Sequence, residues 1–166
     1  MNAEPRVYVG TYAKYNNGSI AGAWISLDEH GDADSFHAAA RTLHKSESDP
    51  ELMFQDAENI PDALYGESHL DDRIWEWLAL DEYERDIVAA WLDHVGGDDS
   101  IDYIIDCHIG NADSWQDYVY DWVDALGILD SMPENLRSYF DYEAFGRDLR
   151  GDLTVAETPK GVIVFS

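Results

Sequence analysis

The sequence predicts an α+β fold, with strands near the two ends of the chain and short helices between them. Three observations predict it: β-branched and aromatic runs confined to the flanks, capped helical periodicities through the middle, and turn chemistry at Asn59-Ile-Pro61 where one pattern gives way to the other. This divides the chain into an N-terminal small sheet plus helix, a central short-helix array, and C-terminal helices plus a small sheet. A chain of 166 residues accommodates one compact domain or two to three small ones.

In the N-terminal part, Arg6 to Tyr12 and Gly22 to Leu27 have the composition of strands, and Asn16-Asn17-Gly18 between them supplies turn chemistry, so they are expected to form a hairpin. Ser35 to Lys45 follows as a helix, capped by Asp34 or Ser35, with Phe36, Ala39, Ala40 and Leu43 on one face. Pro50 to Gln55 supplies a third strand. From Pro61 the period changes. Residues 71–79 form one short helix, and a second starts at Asp81, where Glu84 three residues on completes a capping box and Tyr83, Ile87, Ala90 and Trp91 share a face. Gly96-Gly97 ends it. Ser100 caps a third helix with Ile101, Ile104, Ile105 and His108 on one side, and the fourth is DSWQDYVYDWVDAL, Asp113 to Leu126, stopped by Gly127. Beyond it, Ser131-Met-Pro-Glu134 signals a helix start, Asp141 caps Tyr142 to Leu149, and Leu153 to Val155 and Val162 to Phe165 read as strands.

The charge is the feature these elements must carry. The net charge is −25, yet 45% apolar and 13% aromatic content is that of a chain that folds, so the charge sits on a packed scaffold. It is also concentrated. Residues 46–136 hold 25 acids against only Arg73 and Arg85, a charge of −23, while the remainder is nearly neutral. Nucleic acid is excluded as a direct ligand, because a phosphate-binding surface needs Lys and Arg. A cationic partner or a saline solvent is favoured. A lone Cys107 fits a reducing cytosol, and neither a membrane span nor a leader peptide is expected.

On a helical wheel, Trp115, Tyr118, Val119, Trp122, Val123 and Leu126 fall on one side of the fourth helix and Asp113, Asp117, Asp121 and Asp124 on the other. An ordinary exposed face mixes signs, since unlike pairs four apart gain about 0.2–0.5 kcal/mol and like pairs lose a similar amount. Here like pairs recur at Asp113/Asp117, Asp117/Asp121, Asp98/Asp102 and Asp102/Asp106, and no Lys or Arg occurs between Asp86 and Leu136. Stability alone would not select this. Carboxylates four apart repeat about every 6 Å along a helix, against a phosphate about every 3.4 Å along one DNA strand, so two or three adjoining acidic helices match duplex charge density. At that density, 25 acids correspond to roughly 40 Å of duplex. The candidate phosphate-mimicking, partner-binding set is Glu76, Glu82, Glu84, Asp86, Asp98, Asp99, Asp102, Asp106, Asp113, Asp117, Asp121 and Asp124.

Two alternatives come from other classes. A halophilic globular protein, or an acidic salt-adapted protein-binding module without any DNA-mimic role, would also be rich in acid, but it would spread the acid over the whole chain. A calcium or metal protein would use carboxylate-dense loops, yet Asp28 to Asp34 and Asp98 to Asp102 lack the EF-hand pattern. No cofactor and no metal site are expected. Catalytic motifs are missing as well, and Cys107 and His108, adjacent on a helix, point about 100° apart, so no catalytic residue is assigned.

Three stretches carry a family resemblance: Val7 to Trp24, Asp49 to Asp56, and Leu126 to Leu149, the last containing Tyr139-Phe-Asp-Tyr-Glu-Ala-Phe145. In order and spacing the chain resembles the ArdA antirestriction proteins, and its last stretch is similar to their antirestriction motif. The resemblance implies an inhibitor encoded on mobile elements that imitates bent duplex DNA and occupies the groove shared by the specificity and methylase subunits of type I restriction-modification enzymes. It also implies an elongated homodimer of three small domains, which the turn signals place at 1–61, 62–106 and 107–166. Carried onto this sequence, the motif gives Leu126, Pro133, Leu136, Tyr139, Phe140, Asp141, Tyr142, Glu143, Phe145, Arg147, Asp148 and Leu149 a role in packing or dimer contact. Gly146 within it is expected to weaken its helix by up to about 1 kcal/mol.

Overall fold

The computed structural model describes residues 4–166, and the chain divides into two compact units, one ending at Ile101 and the other spanning Asp102–Ser166. In the first unit, β1 (Arg6–Thr11) is the central strand of an antiparallel sheet, flanked by β2 (Ala23–Ser26) and β3 (Leu52–Glu58). The expected hairpin pairs as Val7 opposite Ile25 and Tyr8 opposite Trp24. Its connection is not a tight turn, however. Thr11 accepts from the Lys14 amide and starts a one-turn helix, α1 (Tyr12–Asn16), which the strand composition on either side concealed.

Alternation along β1 puts Val7 and Val9 on one face, both fully buried, and Arg6 and Tyr8 on the other. Helix α2 (Ala33–Leu43) covers the buried face through Phe36, whose ring lies 5.7 Å from that of Phe54 on β3. Its cap is Asp32 rather than Asp34 or Ser35: the Asp32 carboxylate accepts from the Ser35 amide, starting the helix two residues early. Two turns beyond Phe36, Leu43 is exposed and the following residue, His44, is buried. Its Nε2 reaches the Val9 carbonyl at 3.1 Å and its Nδ1 faces the Lys14 ammonium at 2.6 Å.

After a 3-10 turn at Asp62–Leu64, a short hairpin of β4 (Tyr65–Gly66) and β5 (His69–Leu70) leads to α3 (Arg73–Ala79) and α4 (Glu82–His94). The capping box at α4 is present in both directions. Ile87, Ala90 and Trp91 are buried as the periodicity requires, but Tyr83 is half exposed. Gly96 and Gly97, at φ 72° and 87°, adopt the left-handed backbone that ends α4.

Helix α5 (Ile101–Cys107) lies in the second unit from its second residue, Asp102, onward. It stops one residue short of the expected face: His108 starts a strand, β6 (His108–Ala112), which pairs with β8 (Gly161–Phe165). β8 in turn pairs with β7 (Thr154–Thr158), giving the order β6-β8-β7. At the β7–β8 turn Gly161 has φ 124°, and a Cβ there would lie 2.2 Å from the Ala112 carbonyl oxygen, so only glycine fits. Helix α6 (Trp115–Ala125) packs on this sheet, with Tyr118 in a cluster with Val155, Val162 and Val164. The short helix α7 (Glu134–Arg137) precedes α8 (Tyr142–Asp152), which Asp141 caps as expected by accepting from the Ala144 amide.

Gly146 has a packing role in α8 beside its cost in helix propensity. It is the buried residue of that helix, and a Cβ there would lie 2.9 Å from Val119 Cγ2 and 3.3 Å from Trp115 Nε1 of α6. Its bare backbone lets the two helices approach.

Candidate partner-binding surface

Two arginines serve the whole acidic span, and both are committed internally. Arg73 is largely buried; its guanidinium pairs with Asp71 at 2.8 Å and donates to the carbonyls of Asp99 at 2.8 Å and Gly97 at 3.3 Å. It thereby ties the loop after α4 back to α3. This hydrogen-bonded guanidinium holds the Asp71 carboxyl below the usual carboxylate range, and Asp71 raises Arg73 in return. Arg85 donates to the Leu78 carbonyl, lies over the Trp77 ring at 5.2 Å and stands 3.8 Å from Asp28. Neither arginine neutralises the acids on the outer helix faces.

The twelve acids of the candidate set separate into two kinds. In the first unit, Glu84 closes the α4 capping box and Asp99 accepts from the Trp91 indole at 3.1 Å, so both carboxylates hold structure. Asp86 is half-buried, while Glu76, Glu82 and Asp98 are exposed. In the second unit, Asp102, Asp106, Asp113, Asp117, Asp121 and Asp124 are all exposed. Among the described residues, none of these six lies within ion-pair distance of a Lys or Arg.

Helix boundaries redraw two of the expected like-charge pairs. Asp113 precedes Ser114, whose hydroxyl accepts from the Asp117 amide as the cap of α6, and Asp98 precedes α5. The pairs set on helix turns are therefore Asp102/Asp106 on α5 and Asp117/Asp121 on α6, with Asp124 following. In the first unit, partial desolvation and then the neighbouring Asp62 push the carboxyl of Asp93, an exposed residue, above its ordinary range. Neither residue stands out in the sequence, where acids are everywhere.

Opposite its aspartates, α6 buries Tyr118, Val119 and Val123, with Trp115 and Trp122 half-buried. Leu126 does not join them: it is 62% exposed just beyond the helix. The motif region that follows is likewise open. Pro133 is exposed, Leu136 is 46% exposed and Tyr139 82% exposed, whereas Phe140 packs on Tyr142 at 4.8 Å and Phe145 at 5.6 Å, and Tyr142 reaches Tyr120 of α6 at 4.5 Å. Asp141 caps α8; Glu143, Arg147 and Asp148 are exposed, the last two 3.7 Å apart; Leu149 is half-buried. An acidic helix face without ion pairs among the described residues and several exposed apolar side chains thus occur in one unit.

Among the described residues, no three His, Cys, Asp or Glu side chains gather as a metal site, and no helix is long and apolar enough to cross a membrane. What the surface offers is charge and apolar area for another macromolecule. Comparison with curated proteins finds no match. The family of antirestriction proteins (ArdA) matches residues 7–164, nearly the whole sequence, and the chain belongs to that family.

Proposed function

We propose that the chain carries out its family's antirestriction role in the cytoplasm by mimicking bent B-form DNA in the DNA-binding groove of type I restriction-modification enzymes, where the specificity and methylase subunits meet. In this reading it acts as a homodimer, with three small domains at 1–61, 62–106 and 107–166. The observation that carries the reading is the outward row of Asp117, Asp121 and Asp124 on a helix whose other side is packed, with no Lys or Arg in ion-pair distance among the described residues. Asp117 accepts from the Ser114 hydroxyl at the helix start, but Asp121 and Asp124 stand exposed and without an ion pair further along the same helix, where like charges about a turn apart cost stability. Facing a basic groove, the same row replaces phosphates and draws the partner in through long-range attraction.

The exposed side chains of Leu126, Leu136 and Tyr139 support self-association, because a second copy would cover apolar surface that this chain leaves in water. Competition on a type I methyltransferase between this protein and its cognate duplex tests the reading. Mutually exclusive binding that weakens as salt rises is expected. A ternary complex of enzyme, duplex and inhibitor would overturn it.

A further inference from the structure

The solvent-facing side of the N-terminal sheet holds a second site, and the geometry points to its ligand: an arginine-bearing basic segment of a protein partner. A cleft of about 820 Å³ opens on this face. Its floor is a row across three strands, Trp24 on β2, Tyr8 on β1 and Asp56 on β3, paired in register. Tyr8 and Trp24 meet edge to face at 5.4 Å. The walls are pinned: the Tyr8 hydroxyl donates to the Ile20 carbonyl and accepts from the Gly22 amide, and the Glu67 carbonyl accepts from the Phe54 amide at 2.7 Å. A recess held open in this way needs little reorganisation to take a ligand.

Its chemistry selects a cation. The titratable carboxylates at the cleft, Asp56 and Glu67, are both exposed, and among the described residues neither forms an ion pair. Arg6 on the same face is already taken by Glu58, at 2.6 Å. That arginine also lies 4.7 Å over the Trp24 ring, so the aromatic floor already receives one guanidinium from this chain. Stacking on an aromatic ring beside a carboxylate suits the planar, weakly hydrated guanidinium better than an ammonium. The volume exceeds one side chain and fits a short segment. Nucleobases would also stack here, but the carboxylates repel their phosphates. The cleft shares no residue with the acidic faces of α3 to α6, so its test stands apart from the DNA-mimic reading.

The full chain is titrated calorimetrically with acetyl-Gly-Arg-Gly-Arg-Gly-amide and with the same peptide carrying citrulline for arginine. Salt of about 0.3 M screens diffuse attraction to the net negative chain. The arginine peptide is expected to bind and the citrulline peptide not. Asp56→Asn with Glu67→Gln should weaken binding about threefold to tenfold, as should Trp24→Leu, whereas Asp34→Asn with Asp49→Asn, a charge-matched pair outside the cleft, should leave it within about twofold. The two charge pairs are surface changes, so the comparison stands even if Trp24→Leu fails to fold. Equal weakening by both pairs, equal binding of the citrulline peptide, or preferential binding of oligothymidylate would overturn the assignment.

Discussion

Replacing Arg73 with Met should destabilise the first unit strongly, because this one side chain makes four hydrogen bonds from a largely buried position. Its Nε and NH2 take both oxygens of Asp71, at 3.0 and 2.8 Å, and NH1 serves the carbonyls of Gly97 and Asp99. Methionine keeps much of the aliphatic stem but leaves Asp71 without its counter-charge and two carbonyls without a donor. Stranding a partly buried carboxylate and its linked acceptors costs about 2–4 kcal/mol. In a chain of this size that is a fall of roughly 5–15 °C in melting temperature. The acid limb should change as well. The Arg73 guanidinium holds the Asp71 carboxyl below the ordinary carboxylate range in the folded chain, so its contribution is present above that range and is lost as pH falls through the lower folded value. In Arg73→Met this loss should vanish. The assay is thermal unfolding followed by circular dichroism from pH 7 to pH 2. A variant within about 0.5 kcal/mol of the parent, with the same acid limb, would refute the clamp.

Gly146→Ala should lower stability by about 0.5–2 kcal/mol in denaturant unfolding, although alanine is the better helix former by about 1 kcal/mol, because its methyl group meets the stiff Val119 side chain at 2.9 Å. A more stable variant would show that α6 and α8 do not need the glycine. Asp93 is raised on folding, so stability should increase as pH falls from 7 through its folded value; Asp93→Asn should be more stable at pH 7 and lack that rise in a pH series of melts. Melting from dilute buffer to molar NaCl separates a mimic from a halophile. The mimic should be folded at low salt and gain modestly from screening, whereas a halophile would unfold.

Much of the fold was legible because local chemistry and tertiary structure agreed. Asp81 and Glu84 spell a capping box whose two halves both form, and the Val-Ile-Val-Phe run of β8 could only be buried strand. The strand β6 was not legible. His-Ile-Gly-Asn-Ala has a single β-branched residue, Ile109, and no apolar alternation, and the segment is drawn into the sheet by β8, down to the Ser166 amide bonding the Cys107 carbonyl at 2.8 Å. Periodicity also gives direction without depth. Tyr83 and Leu126 lie on apolar faces in sequence, yet each stands at the rim of its element and is half exposed or more. Gly146 reads as a weak helix former until the partner helix is known. The candidate surface shows the same limit: Glu84 and Asp99 look like Asp102 and Asp106 in a string of acids, but the first two hold a helix start and an indole while the others face water.

The central claim is that the carboxylates of α6, with Asp113 just before it, act as phosphate substitutes. Changing Asp113, Asp117, Asp121 and Asp124 together to Lys, and measuring inhibition of a type I restriction enzyme beside the circular dichroism spectrum, tests it most directly. The account expects an intact fold, the four side chains being exposed, with inhibition weakened by two orders of magnitude or so, while any single Asp→Asn change costs less than about threefold. A folded quadruple variant that inhibits as strongly as the parent would contradict it.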